Sequence, residues 1–129
     1  MKVISEKSVP EYQAPLPSRR TAKILIDEYS AGTKNLAMGI ANYPPGEKAE
    51  MHTHEGEEVM YFLEGEGLLE TPEGKFPVRK GDSLIAYAKE PHSVENRGDR
   101  DMVFLFVFCP PGTEKSIRSN WKSTPGRSR

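Results

Sequence analysis

The chain has one cysteine in 129 residues, so no disulfide can form within it, and it contains no Asn-x-Ser/Thr acceptor for N-glycosylation. Long hydrophobic runs are missing as well. The longest, 102–109, falls far short of the roughly 18 residues that span a bilayer. Charge arrives early in Met1-Lys2-Val3-Ile4-Ser5-Glu6, leaving no apolar core for a signal peptide. There is no excess of one charge either: 18 Lys and Arg face 19 Asp and Glu, with no long block of either sign. Counterion-releasing phosphate contacts need a basic face, so nucleic acid is set aside as a partner. These absences lead us to expect a cytoplasmic, single-domain protein with no membrane partner. One core of this size buries roughly two-thirds of the unfolded chain's surface and needs no staples.

What the sequence does have is punctuation. Glycine and proline supply 11 residues each, and turn signals recur at Ser30-Ala31-Gly32-Thr33, Pro44-Pro45-Gly46, Glu64-Gly65-Glu66-Gly67, Thr71-Pro72-Glu73-Gly74 and Asn96-Arg97-Gly98-Asp99. The segments between turns are too short for ordinary helices, and several alternate with period two. In 36–41, Leu36, Met38 and Ile40 oppose Ala37, Gly39 and Ala41. In 102–109 both faces are apolar, which predicts a deeply buried strand. The pattern predicts an all-β sandwich or barrel, with a short helix only near Thr113 to Trp121. Residues 1–22, with Pro10, Pro15, Pro17 and Arg19-Arg20, are expected to form an extended N-terminal arm. Residues 23–122 form the β-domain, and 123–129 a disordered basic tail.

Only three histidines are present, and the chemistry gathers around them. His52 and His54 are two apart, so on a strand their imidazoles leave the same face. Glu58 follows four residues after His54, and His92 lies beyond further strands. Three neutral imidazole nitrogens and a carboxylate oxygen suit one divalent first-row transition metal, with Fe, Mn, Ni, Zn, Co and Cu all accommodated. A five- or six-coordinate ion keeps positions open for water, substrate or oxygen.

The spacing extends further: Gly46, five residues, His52, one, His54, three, Glu58, six, Gly65, then Gly81, ten residues, His92, three, Asn96. In this two-part pattern the chain resembles the cupin superfamily, of the small single-domain metal-binding type with a cupin 2 conserved barrel, over about residues 35–110. The resemblance implies a jelly-roll β-barrel with a metal inside it, and the family's ligand positions fall on His52, His54, Glu58 and His92. Two positions depart from the pattern, with Tyr87 where the family usually has Pro and Lys89 where it usually has Gly. Lys89 is expected on the surface, and Asn96 in a structural role at a turn.

Period two carries the reading outward from the ligands. If Glu58 points inward, Met60 and Phe62 share its side, and Val94 shares that of His92. Met38, Ile40, Phe104 and Phe106 are further candidates for lining a pocket. Glu50 extends the His52/His54 face and is the candidate catalytic carboxylate, as general base or water-orienting group. Cys109, at the end of an apolar strand, is expected to be a small buried hydrophobe.

Two functions remain open. One is a metal-dependent enzyme acting on a small organic molecule, possessing the dioxygenase, lyase, isomerase or decarboxylase chemistry that the resemblance implies. The other is a non-catalytic, metal-containing module that binds or senses a small ligand, such as a carboxylate or enol. A buried Glu50 or tyrosine in the cavity favours the enzyme, whereas a cavity polar only at the metal favours the binder. The resemblance and the Pro-rich arm also lead us to expect a homodimer.

Overall fold

The structure, a computed structural model, describes residues 1–125. A 3-10 turn at Glu6–Ser8 precedes β1 (Glu11–Gln13), β2 (Thr21–Ile26), the one-turn helix α1 (Glu28–Ala31) and β3 (Ala37–Tyr43). The chain continues through β4 (Glu57–Glu64), β5 (Glu66–Thr71), β6 (Gly74–Arg79), β7 (Ser83–Ala86), β8 (Ser93–Asn96) and β9 (Met102–Cys109). It closes with helix α2 (Thr113–Asn120) and β10 (Lys122–Thr124). The strands form a seven-stranded antiparallel sheet, β10-β1-β2-β3-β9-β4-β7, facing a three-stranded one, β6-β5-β8. This is the all-β jelly roll with a short C-terminal helix that the sequence predicts. Among the described residues, no helix is long and apolar enough to cross a membrane.

β9 lies between β3 and β4, as expected of a strand apolar on both faces. Its inner face carries Phe104, Phe106 and Phe108, all buried. Registry fixes what each ring meets: Phe104 lies opposite Ala41 and Phe62, Phe106 opposite Gly39 and Met60, and Phe108 opposite Ala37 and Glu58. Three aromatic rings on one strand leave room only for small residues on β3. A Cβ on Gly39 would collide with the Phe106 ring and the Lys23 carbonyl.

That packing corrects the expectation for Met38 and Ile40. They face away from the barrel interior, Met38 in an outer row with Val107, Val59 and Ile85. The small face of β3, not its bulky one, turns inward. Cys109 is likewise exposed rather than buried, because inward alternation ends at Phe108 and the chain leaves the sheet toward Pro110 and Pro111.

Within the described residues, both terminal segments contribute a strand to the larger sheet. In the arm over 1–22, Glu11–Gln13 pairs with β2 on one side and β10 on the other. Of the tail over 123–129, Ser123 and Thr124 form strand with β1, and 126–129 lie outside the described residues. A sheet edge of free N–H and C=O groups accepts a short strand even when its side chains bury nothing, as in β10. A second tie joins the ends. Asp27 caps α1 by accepting from the Ser30 N–H at 2.9 Å. It also takes a two-pronged hydrogen bond from Arg118 of α2, Nε to Oδ2 at 2.7 Å and Nη2 to Oδ1 at 3.0 Å.

Candidate metal centre

The first two histidines do not lie on a regular strand. Residues 44–56 form a loop that pairs with β8 and the segment before it. The His52 N–H donates to the His92 carbonyl at 3.0 Å, and the His92 N–H returns the bond to the His52 carbonyl at 3.0 Å. This mutual pair sets two imidazoles side by side across an antiparallel step. Glu58, inward at the start of β4, brings its carboxylate beneath them.

The outcome is a cluster in which one donor atom each from His52, His54, Glu58 and His92 lies within 4.8 Å of the others, a group able to hold a metal ion. Ring centroids are 4.7 Å apart for His52 and His54, 4.5 Å for His52 and His92, and 5.1 Å for His54 and His92.

The outer nitrogens are already engaged. His52 Nδ1 donates to the Glu50 carbonyl at 2.6 Å and His92 Nδ1 to the Glu90 carbonyl at 2.9 Å. A carbonyl only accepts, so these contacts place the hydrogen on Nδ1 and leave Nε2 of the neutral ring as a lone pair aimed inward. His54 Nδ1 contacts the Thr113 hydroxyl at 2.9 Å. Inside, His92 Nε2 and Glu58 Oε1 are 3.2 Å apart. His54 Nε2 lies 2.8 Å from the same oxygen, yet it is too poorly aligned for a hydrogen bond and is left without a partner while buried. A buried, orphaned nitrogen facing a carboxylate and two further lone pairs fits a cation at their centre.

Electrostatics agree with the packing. Burial pushes the His52 imidazole below its ordinary value, favouring the neutral, ligating form. Burial alone raises Glu58 and lowers His92, but the contacts of Glu58 with His54 and His92 outweigh it. Glu58 is held below, and His92 above, the usual range.

The cluster forms one wall of a cavity of about 710 Å³, within the range of small-molecule sites. Of the candidate lining residues, Met60, Val94, Phe104 and Phe106 border it. Phe62 is on the same inner face but fully buried, packed on Phe104 with ring centroids 5.4 Å apart. Met38 does not line the cavity, and Ile40 borders a separate depression beside Lys23. Glu50 reaches the rim, where its side chain is exposed; its tie to the cluster is the backbone carbonyl on His52. The buried polar side chain on the wall is instead Tyr43, whose phenol is raised by burial, with Arg20 nearby partly offsetting the rise. Asn96 closes its turn, donating to the Tyr43 and Arg100 carbonyls, both at 2.7 Å.

Among the wall residues that escaped the sequence reading are Arg20, Thr113 and Trp121. No periodicity links them to the histidines, and only the return of the C-terminus beside β1 brings them in. Lys89, exposed as expected, holds φ at 63°, a left-handed conformation that glycine adopts freely. Its N–H donates to the His54 carbonyl at 2.8 Å.

Comparison with known proteins agrees with this geometry. The family model described as Cupin domain matches residues 39–108. A Thermotoga maritima protein named oxalate-binding protein is 42% identical over 85 residues, 65% of this chain and 70% of that protein. An uncharacterized protein of Methanocaldococcus jannaschii is 38% identical over 84 residues, 64% of this chain and 66% of that one. Among solved structures, a Thermotoga maritima protein described as a predicted oxalate decarboxylase superposes with a TM-score of 0.74 at 28% identity, covering 85% of this chain and 100% of its own. With more than half its length matched by the family model, and the barrel and donor cluster in place, the chain belongs to the cupin family.

Proposed function

We propose that this cupin is a metal-dependent enzyme acting on a small organic acid, with one divalent transition metal held by His52, His54, Glu58 and His92. The observation that carries the reading is the convergence of four donors, one of them an orphaned buried nitrogen, on the wall of a cavity large enough for an organic ligand. The names of the Thermotoga relatives, oxalate-binding protein and predicted oxalate decarboxylase, support a carboxylate ligand. A bound divalent ion supplies Lewis-acid polarisation of a carboxylate, carbonyl or enolate oxygen.

The chain's own residues do the rest. The Glu50 and Glu90 carbonyls hold the His52 and His92 rings in the ligating tautomer. Phe104, Phe106 and Phe108 exclude water from one side of the ligand. Tyr43, kept protonated by burial, offers a phenolic hydrogen-bond donor at the wall. A buried tyrosine in the cavity favours an enzyme over a binder. The exposed side chain of Glu50 favours the second reading, a binding module, since it leaves no spare buried carboxylate as general base.

Elemental analysis of protein purified without an affinity tag tests the site. Stoichiometric metal is expected in the wild type, and its loss in His52→Ala and His92→Ala with circular dichroism little changed. Full metal content in both variants would refute the ligand assignment. Product formation or oxygen uptake with a panel of small carboxylates then separates the readings. Saturable binding without turnover supports the module and sinks the enzyme.

A further inference from the structure

The cavity has a second pole. β9 places Phe108 against His54, with ring centroids 5.1 Å apart, and Phe104 against Tyr43 at 5.3 Å. These two phenylalanines are four residues apart, so roughly 13 Å separates the cluster end from the Tyr43 end along the strand. At the Tyr43 end stands Arg20. Its guanidinium carbon lies 5.4 Å from the Tyr43 ring centroid and 5.5 Å from that of Trp121, a cation held between two aromatic rings. Nε donates to the Ser18 hydroxyl at 3.0 Å, and the Arg20 carbonyl accepts from the Ala14 N–H at 3.0 Å. Head and backbone are therefore both fixed.

Of the other charged groups near this wall, Glu50 is exposed at the rim, whereas Arg19, Glu47, Lys48 and Arg118 are engaged. Arg19 approaches Glu47 at 3.6 Å, and Glu47 also accepts from the Arg19 N–H at 2.9 Å and the Ser18 hydroxyl at 3.0 Å. Lys48 pairs with Glu70 at 3.3 Å and Arg118 with Asp27. Of the two cations that line the cavity, Lys48 has this salt bridge and Arg20 has none among the described residues. Ser18 bridges Arg20 to Glu47, whose carboxyl feels the guanidinium charge, but no carboxylate pairs with the guanidinium directly; held in this way, it presents its remaining donors to an incoming carboxylate.

We propose that Arg20 is the anion anchor of this cavity. Its ligand is then an elongated organic acid, with an oxygen-donor group at the histidine cluster, an apolar body along Phe106, and a carboxylate at Arg20. This rests on the metal-site reading above and adds the substrate class. A two-carbon diacid can occupy the cluster end but cannot reach Arg20. Arg20 and Trp121 lie outside the family-matched segment 39–108, whereas Tyr43 lies within it.

The test uses zinc-loaded and metal-free protein with two probes, oxalate and the eight-carbon diacid suberate. Trp121 is the sole tryptophan, so its emission reports on the Arg20 pole directly. Suberate is expected to shift that emission in both forms and oxalate in neither. Calorimetry should show suberate binding weakened about ten- to hundredfold by Arg20→Gln, with oxalate binding to the zinc form unchanged. Arg20→Lys should recover part of the loss. If Arg20→Gln lowers zinc content or ellipticity, the Lys variant carries the comparison, with several-fold weakening expected. Suberate affinity unaffected by either substitution overturns the anchor while leaving the metal site standing. Failure of oxalate to bind the zinc form overturns the metal-site reading, and with it the two-ended ligand, even if suberate still moves the Trp121 emission.

Discussion

Removing the Asp27 carboxylate should cost the fold more than any exposed charge. The residue is 3% exposed and serves two partners, the Ser30 N–H of α1 and the Arg118 guanidinium of α2. Loss of the cap costs about 1 kcal/mol. Loss of the two-pronged bond costs about 2 kcal/mol, taken toward the low side because the Arg118 side chain is 21% exposed and screened. Asp27→Ala should therefore lose about 3 kcal/mol, or about 10 °C in Tm for a chain of this size. Thermal unfolding followed by circular dichroism at pH 7 measures it, and a cycle with Arg118→Met should return a coupling of about 1.5 kcal/mol.

The pH dependence has a definite sign. Burial pushes the Asp27 carboxyl up, but hydrogen bonds from Arg118 and Ser30 more than offset this and hold it below its ordinary value. A lowered folded-state pKa contributes stability that is full above the unfolded value of about 4 and fades as the pH falls through the folded one. The gap between wild type and Asp27→Ala should narrow in that acid window. A gap under about 0.5 kcal/mol at pH 7, or zero coupling to Arg118, would refute the account.

Two further substitutions probe the barrel. Gly39→Ala sets a methyl against the Phe106 ring and the Lys23 carbonyl, and should destabilise by about 3 kcal/mol in urea denaturation; unchanged stability would show that β3 is not packed this tightly. Lys89→Gly relieves a left-handed backbone at φ 63° and should stabilise by about 0.5 to 1 kcal/mol, seen as a higher urea midpoint at constant slope. A lower midpoint would mean that the Lys89 side chain contributes more than its backbone costs.

The barrel was legible in the sequence because its signals are local. Turn residues delimit the strands, and the doubly apolar run 102–109 announces the central one. The four donors could be grouped because their spacing carries a family pattern. The inward face of β3 could not be read the same way. Period two separates Met38 and Ile40 from Gly39 and Ala41, but only the three phenylalanines of β9 decide which set goes inside. For Glu50, alternation was extrapolated into a segment that is a loop, with only isolated bridges at Lys48 and His52, so its side chain finishes at the rim. Arg20 and Trp121 meet across 101 positions of chain through the β1–β10 pairing, a contact that no local pattern encodes.

The same pairing governs how the protein bears load. Glu11 stands opposite Thr124, so the chain enters β1 and leaves β10 at the same point of the sheet, with Pro10 and Pro125 just beyond. Tension applied at Pro10 and Pro125 peels this pair apart one hydrogen bond at a time instead of shearing all of them together. The seam is three residues long, and β10 buries none of its side chains. Four strand positions separate β1 from β4, which carries Glu58. A pull at these two prolines thus spends itself on the seam, far from the histidines, and the sheet around the donor cluster stays unloaded until the seam has opened.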